Sequence, residues 1–237
     1  MVLAAGRGTR LKPLTNSIPK PMIPFAGKPL LEHIIKLLAQ HGFDELIINL
    51  YHLPEVIQDY FGDGSKWNVH ISYSLEDELL GTAGAVRKVM NFFDEPFLVY
   101  YGDNLTNFDL TNMLRAHQQQ QVIASIGLLW MDDPTTRGII GLDENGLINR
   151  FIEKPRPEQV FDDYLINAGT YLLEPEIFDF IPRDQVSDFS HDIFPALRRE
   201  DRALYGHRMR GDLLSTDTLE RYEYACQHVD SGAFTLP

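Results

Sequence analysis

The apolar positions of this chain change period repeatedly through its first half. Val2–Ala5 is a short apolar run halted by Gly6, the pattern of a buried strand that stops in a turn. In PLLEHIIKLLAQH (29–41), Leu30, Leu31, Ile34, Leu37 and Leu38 recur at helical spacing, and Gly42 ends the predicted helix. ELIINLY (45–51) predicts a strand, PEVIQDYF (54–61) a helix opened by Pro54, and VHISYS (69–74) another strand. TAGAVRKVMNFF (82–93) and 110–121 predict helices. Between them FLVYY (97–101) is apolar throughout, as a strand buried on both faces must be.

Strands alternating with helices require right-handed crossovers and a parallel sheet covered on both faces. The predicted class is therefore α/β: a Rossmann-like three-layer sandwich with a mostly parallel central sheet, occupying about residues 1–130. From 131 onward strands dominate, continuing from VIASIGLLWM (122–131). GIIGL (138–142) and LINRFIE (147–153) flank a DENG hairpin turn, followed by NAGTYLL (167–173) and ALYGHRM (203–209). Short helices are expected at 175–181 and 191–199, the latter capped by Ser190, and a final helix at 217–228. Tyr100 and Trp130 read as core. With no repeat, low-complexity segment or long linker, residues 1–237 are expected to form one domain with a β-rich lobe.

Composition narrows the function. The chain carries 34 acidic and 21 basic residues, a net charge of −13, which argues against broad binding to nucleic acid or anionic membranes. A single cysteine, no apolar run long enough to span a bilayer and no export signal point to a cytoplasmic protein. Against that background the opening MVLAAGRGTRLKPLTNSIPKPMIPFAGKP stands apart. It holds Arg7, Arg10, Lys12, Lys20 and Lys28 but no acidic residue, where proportion predicts about four. Any anionic ligand is captured locally, and here.

In such sheets ligands sit beyond the carboxyl ends of the strands. Two segments land there: GRGTR after the first strand and GDN (102–104) after the fourth. Gly6 and Gly8 expose backbone N–H groups to a ligand without Cβ obstruction, and Arg10 and Lys20 add charge suited to phosphate. The loop matches neither a Walker motif nor G-x-G-x-x-G. A glycine turn with surface basic residues would look the same from the glycines alone; the acid-free window favours phosphate. Asp103, after a buried strand, is placed to hold Mg²⁺ against a polyphosphate, or else to form a turn capping the next helix. Basic loop and metal carboxylate together suit in-line attack on a nucleotide α-phosphorus, and an ionised phosphate nucleophile needs no general base.

These residues resemble the sugar-1-phosphate nucleotidyltransferases, most of all those handling mannose- or heptose-type 1-phosphates with GTP. The resemblance rests on LAAGRGTRLKPLT…PKPMIPFAGKPLLEHII, EDELLGTAGAV (76–86), YYGDN (100–104), RGIIGLDENG (137–146), FIEKP (151–155), NAGTYLL and HDIFPAL (191–197). It implies NDP-sugar and pyrophosphate made from NTP and a sugar 1-phosphate by Mg²⁺-dependent direct displacement. Residues 1–130 would be the nucleotide-binding half, and 131–237 the sugar-binding half with the C-terminal helix. Leu3, Ala4, Ala5, Gly6, Gly8 and Thr9 would hold the nucleotide, with Arg10 on its outer phosphates and Lys20 joining nucleotide and sugar phosphates. Glu76, Gly81 and Thr82 would lie at the base, and Asp103 would bind Mg²⁺. Asn104, Gly138, Glu153, Lys154, Asn167 and Thr170 would line the sugar-phosphate side. Family members are often oligomers.

One position departs from the family. A second metal-binding Asp is expected before the last helix, yet the register of Thr218, Glu220 and Tyr222 puts Ser215 there. A hydroxyl is a poor substitute for a carboxylate on Mg²⁺. With the loop shifted, Asp212 or Asp217 is the candidate replacement; the other reading of Asp217 is a helix N-cap. The departure keeps a non-catalytic nucleotide-sugar-binding relative in view, beside an enzyme using dTTP or UTP with a glucose-type phosphate. A cytidylyltransferase for a small alcohol phosphate is the weaker alternative.

Overall fold

The computed structural model describes residues 1–132, 134 and 137–237. They form two compact units that interleave along the chain: Met1–Leu79, Tyr100–Leu110 and Arg210–Pro237 in one, Leu80–Val99 and Thr111–Met209 in the other. The α/β class holds, with a mixed sheet whose pairings are parallel throughout the first unit.

In the first unit, Val2–Leu3 lies between Glu45–Leu50 and Phe97–Tyr101, pairing in parallel with Ile48 and Asn49 on one side and Tyr100 and Tyr101 on the other. His70–Leu75 extends the sheet beside Glu45–Leu50. Glu45–Leu50 is buried at five consecutive positions, as expected of a strand covered on both faces. The helix Leu30–Gln40 follows Pro29 and buries Leu30, Leu31, Ile34, Ile35, Leu37 and Leu38; beyond His41, Gly42 takes the left-handed conformation at φ 81°. The helix Pro54–Phe61 begins and ends where the sequence places it.

Four details of this unit differ from expectation. The turn at Asp103 leads into no helix; Asn104 opens a short strand, Asn104–Thr106, antiparallel to Leu213–Ser215, with Ser215 opposite Asn104. Two-residue strands, Pro24–Phe25 and Lys28–Pro29, turn back on each other through Ala26 and Gly27, both at positive φ. The last helix is Leu219–Asp230. Its N-cap is Thr218, whose hydroxyl accepts from Arg221 N, because Asp217 is engaged elsewhere.

In the second unit, Ala124–Leu129 pairs antiparallel with Leu165–Leu173 and parallel with Leu204–Arg208. Ile139–Leu142 and Ile148–Ile152 form the predicted hairpin, closed by Asp143 Oδ1 accepting from Asn145 N and Leu147 N. The helix expected over 82–93 is α-helical only over Gly81–Lys88, then 3₁₀ over Met90–Phe92; Pro175–Asp179 is likewise 3₁₀. The segment expected as a helix from 191 begins as a π-helical turn, Phe189–Ile193, before the α-helix Phe194–Arg199. Asp188 caps it in place of Ser190, its Oδ1 accepting from Ser190 N at 2.9 Å. A carboxylate is the stronger acceptor for those first amides. Tyr100 is buried as expected, whereas Trp130 is not core: it stands 61% exposed, on the backbone just past its strand. No helix among the described residues is long and apolar enough to cross a membrane.

Candidate active site

The first unit holds the candidate phosphate-binding residues, beginning where Val2–Leu3 ends. Ala4 and Ala5 are buried, then the chain surfaces at Gly6. A Cβ on Gly6 would meet no described atom within 4 Å, so packing does not require glycine there; the space lies on the open side of the loop. Gly8 is different. It adopts φ 62°, and a Cβ would come within 2.9 Å of Thr15 Cγ2 and 3.1 Å of Lys20 Cβ. Its carbonyl accepts from the Thr15 hydroxyl at 2.7 Å and from Leu11 N at 2.9 Å. This close packing brings Lys20 up against the loop, while Thr9 and Arg10 stay exposed on the short 3₁₀ turn Thr9–Leu11.

Asp103 is delivered from the next strand by the same device. Gly102 N donates to Leu3 O at 2.9 Å, and a Cβ on Gly102 would sit 2.8 Å from that carbonyl. Asp103 therefore follows directly beside the loop's start. Lys20 Nζ meets Asp103 Oδ2 at 2.8 Å, with the lysine side chain only 9% exposed. The predicted facing of cation and aspartate is thus a direct ion pair. The neighbouring strand is tied to the same turn: Thr216 Oγ1 and N bond Asp103 O at 2.9 and 3.3 Å. Asn104 is buried at its strand start.

Glu76, the residue expected at the base, is buried, and its Oε1 accepts from Asn49 Nδ2 at 2.6 Å. Asn49 Oδ1 in turn accepts from Ala4 N at 2.7 Å, linking this carboxylate to the glycine loop. Asn49 was not anticipated; the signal available was a lone amide inside the apolar run LIINL (46–50). Tyr51 was missed as well. Arg7 donates to its hydroxyl at 2.8 Å and lies over its ring at 5.2 Å.

Asp217 is surrounded by donors. Ser215 Oγ and Arg221 Nη1 bond its Oδ1 at 2.9 and 3.0 Å, and Arg10 Nη1 bonds its Oδ2 at 2.9 Å. Burial alone would raise the Asp217 carboxyl, but Ser215, Arg221 and Arg10 outweigh it and hold the group below its ordinary range. No cluster of three or more His, Cys, Asp or Glu among the described residues is arranged to hold a metal.

The second unit holds the other candidates. Gly81 adopts φ 76°, and a Cβ there would come within 2.4 Å of Ser187 O. That carbonyl accepts from Ala83 N and Gly84 N at the start of the helix. Thr82 Oγ1 donates to Asp188 Oδ2 at 2.8 Å and accepts from Phe189 N at 3.0 Å. The glycines and threonine of GTAGA thus serve the packing of this helix start onto 185–189.

Glu153 and Gly138 come together, a Cβ on Gly138 falling 2.6 Å from Glu153 Oε2. Burial pushes the Glu153 carboxyl up and Asp188 adds to this, against His191, Lys154 and Arg137. Lys154 is exposed and sits at φ 46°, a conformation that costs a non-glycine residue about 1 kcal/mol or more and is concentrated at functional sites. Asn167 and Thr170 are internal. Asn167 Nδ2 bonds Tyr171 and Ser190, and its Oδ1 bonds Gly169 N. The Thr170 hydroxyl is buried without a hydrogen-bond partner among the described residues. His191, near Glu153, was read in the sequence only as the start of a helix, and Asp188 was not singled out.

The first unit thus holds a strand-end glycine loop beside a Lys–Asp ion pair, and the second a glutamate packed against Gly138. The chain belongs to the nucleotidyl transferase family, whose model matches residues 1–221. It is similar to a UTP–glucose-1-phosphate uridylyltransferase from Synechocystis sp., 41% identical over 83% of this chain and 54% of that protein. It is also similar to a mannose-1-phosphate guanylyltransferase from Mycobacterium tuberculosis, 35% identical over 87% of this chain and 57% of that protein. The chain spans just over half the length of these relatives. Among solved structures, HddC from Yersinia pseudotuberculosis complexed with GMP-PN superposes with a TM-score of 0.80 at 27% identity, covering 96% of this chain and 97% of that one. An apo UDP-glucose pyrophosphorylase, at 22% identity and a TM-score of 0.83, shares the fold.

Proposed function

We propose that this protein transfers a nucleotidyl group from an NTP to a sugar 1-phosphate, with GTP and a mannose- or heptose-type phosphate as its substrates. The observation that carries the reading is the Lys20–Asp103 ion pair beside the glycine loop. In this reaction an oxygen of the sugar phosphate bonds to the α-phosphorus of the NTP, the bond to the β-phosphate oxygen breaks, and pyrophosphate leaves. The backbone from Leu3 to Gly8 would carry the nucleotide, with Thr9 at its edge and Arg10 on the outer phosphates. Lys20 would supply fixed positive charge where charge builds up in the transition state. Its low exposure means that little solvent screens that charge. Gly138, Glu153 and Lys154 would take the sugar phosphate: a carboxylate accepts from two hydroxyls, and the lysine meets the phosphate.

Asp103 fits Mg²⁺. Mg²⁺ is held by one or two carboxylates together with substrate phosphates and needs no full protein cage, a demand that the half-exposed Asp103 carboxylate, with Oδ2 on Lys20, can meet. When bound, the ion would neutralise and orient the triphosphate.

The choice of GTP rests on Glu76. A carboxylate only accepts, and guanine offers adjacent N1–H and N2–H donors on its pairing edge. Uracil and thymine flank one N–H with two carbonyls, which a carboxylate repels. The HddC complex with GMP-PN supports the same base. The likeness to a uridylyltransferase favours UTP with glucose 1-phosphate as the second reading. Pyrophosphate release is the test, run with GTP, UTP, dTTP and CTP against mannose, heptose and glucose 1-phosphates. The expected outcome is turnover led by GTP. A lead for UTP with glucose 1-phosphate replaces the substrates, and binding without turnover in every pairing makes the protein a non-catalytic relative.

A further inference from the structure

Asp217 meets two guanidinium groups, and the arrangement gives it a task that its place beside the last helix does not announce. Ser215 and Arg221, from the adjoining strand and helix, fix its Oδ1 at 2.9 and 3.0 Å. The flanking residues are pinned as well, Thr216 to the Asp103 carbonyl and Thr218 as the helix cap. Its Oδ2 then holds Arg10, which arrives from the glycine loop more than two hundred residues earlier, at 2.9 Å. The anchor is largely buried, at 15% side-chain exposure, while Arg10 is 68% exposed. A carboxylate held by two neighbours thus grips one nitrogen of a guanidinium that is otherwise largely exposed.

We propose that Asp217 is a positioning residue for Arg10, presetting its guanidinium for the outer phosphates of an NTP, and is not a metal ligand. Two positive charges on one negative leave a local excess of one, which suits an anion and repels a divalent cation. Arginine loses much side-chain freedom when it grips a ligand; a partner that has already ordered it removes part of that cost. The inference rests on the nucleotidyl-transfer reading, since Arg10 needs a triphosphate to meet.

Calorimetric titration with GTP and with GMP, in Mg²⁺ and without sugar phosphate, tests it on the wild type, Asp217→Ala, Asp217→Asn, Arg10→Ala and the Arg10→Ala/Asp217→Ala pair. Asp217→Ala is expected to weaken GTP binding about tenfold and to leave GMP binding unchanged. The double variant is expected to bind no worse than Arg10→Ala, because both changes remove one interaction. Asp217→Asn keeps an acceptor for Arg10, falls between, and stands in with its own Arg10→Ala pair should the alanine variant fail to fold. The Mg²⁺ concentration giving half-maximal GTP binding is expected not to move. Unchanged GTP affinity in Asp217→Ala, additive losses in the double variant, or a several-fold shift in the Mg²⁺ dependence each overturn the proposal. Failure of the wild type to bind GTP, UTP, dTTP or CTP instead overturns the nucleotidyl-transfer reading, a separate result.

Discussion

The loop Leu3–Gly8 and the helix start Gly81–Gly84 look alike in the sequence, each a run of small residues with two glycines and a threonine close by. In the structure they differ in what fills the space beside the glycines. Gly8 of the loop is packed, with Thr15 Cγ2 at 2.9 Å from a Cβ, but Gly6 has no described atom where a Cβ would point, whereas Gly81 has the Ser187 carbonyl at 2.4 Å and Gly84 has the Gln185 carbonyl at 3.0 Å. The amides at the helix start are likewise taken, by Ser187 O, and the Thr82 hydroxyl by Asp188 and Phe189. A glycine-rich segment is a ligand cradle only where the protein has not filled it. By that criterion Gly6 marks the candidate cradle of the proposed function, while the Gly81–Gly84 start is packed against 185–189.

If the difference is real, chemistry should be lost in the first region and stability in the second. The largest effect is expected from Lys20→Ala, which removes the buried cation beside the cradle. Turnover should fall roughly 10²- to 10³-fold, the range for losing one preorganised charge-stabilising donor. Thr82→Ala, its counterpart at the packed helix start, should cost stability of about 1–2 kcal/mol with turnover near wild type. Steady-state pyrophosphate release beside urea denaturation reads both, and a catalytic collapse in Thr82→Ala would erase the distinction. Next in size is Glu76→Gln. An amide can donate to a carbonyl, so the preference for GTP over UTP should drop by about 10- to 100-fold, measured as the ratio of kcat/KM values. A preference that stays put assigns the base choice to other residues.

The glycines themselves give the third comparison. Gly81→Ala places a methyl against backbone and forces a left-handed alanine, so unfolding free energy should fall by roughly 2–3 kcal/mol. Gly6→Ala should stay within about 0.5 kcal/mol of wild type, yet raise KM for the NTP where the backbone must approach its ligand. Matching denaturation midpoints for the two variants would mean that Gly81 has room to relax.

What the sequence made legible follows from this contrast. The parallel strands, the helix Leu30–Gln40 and the meeting of Lys20 with Asp103 were all readable, because apolar period and strand-end position report directly on burial and placement. The role of Asp217 was not. Ser215, Asp217 and Thr218 are all plausible caps by type, and the selection of Thr218 depended on Arg10, a residue remote in sequence, claiming the aspartate. Trp130 was misread for a similar reason: it closes an apolar run, but its strand ends one residue earlier at Leu129. Asn49 and Asp188 escaped notice because each acts through a partner on another segment, Glu76 and Thr82, and local pattern carries no trace of that pairing.

The smallest expected effect concerns Glu153, and two measurements of opposite sign make it decisive. Burial first, then Asp188, raises the Glu153 carboxyl above its unfolded value, so the folded protein holds that proton to higher pH than the unfolded chain does. Stability from this group is therefore present at low pH and is lost as pH rises from the ordinary carboxyl value, about 4.3, through the raised folded value. Glu153→Gln should remove that slope and stabilise the protein near neutral pH by less than ~1 kcal/mol, because the group is only partly buried. Sugar binding runs the other way. If the ionised carboxylate receives sugar hydroxyls, KM for the sugar 1-phosphate falls as pH rises through the same window, and Glu153→Gln has a higher KM with that pH dependence gone. A carboxylate kept for packing alone would move the denaturation midpoint without touching KM; one kept for sugar trades a little stability for affinity, and both curves bend at the same pH.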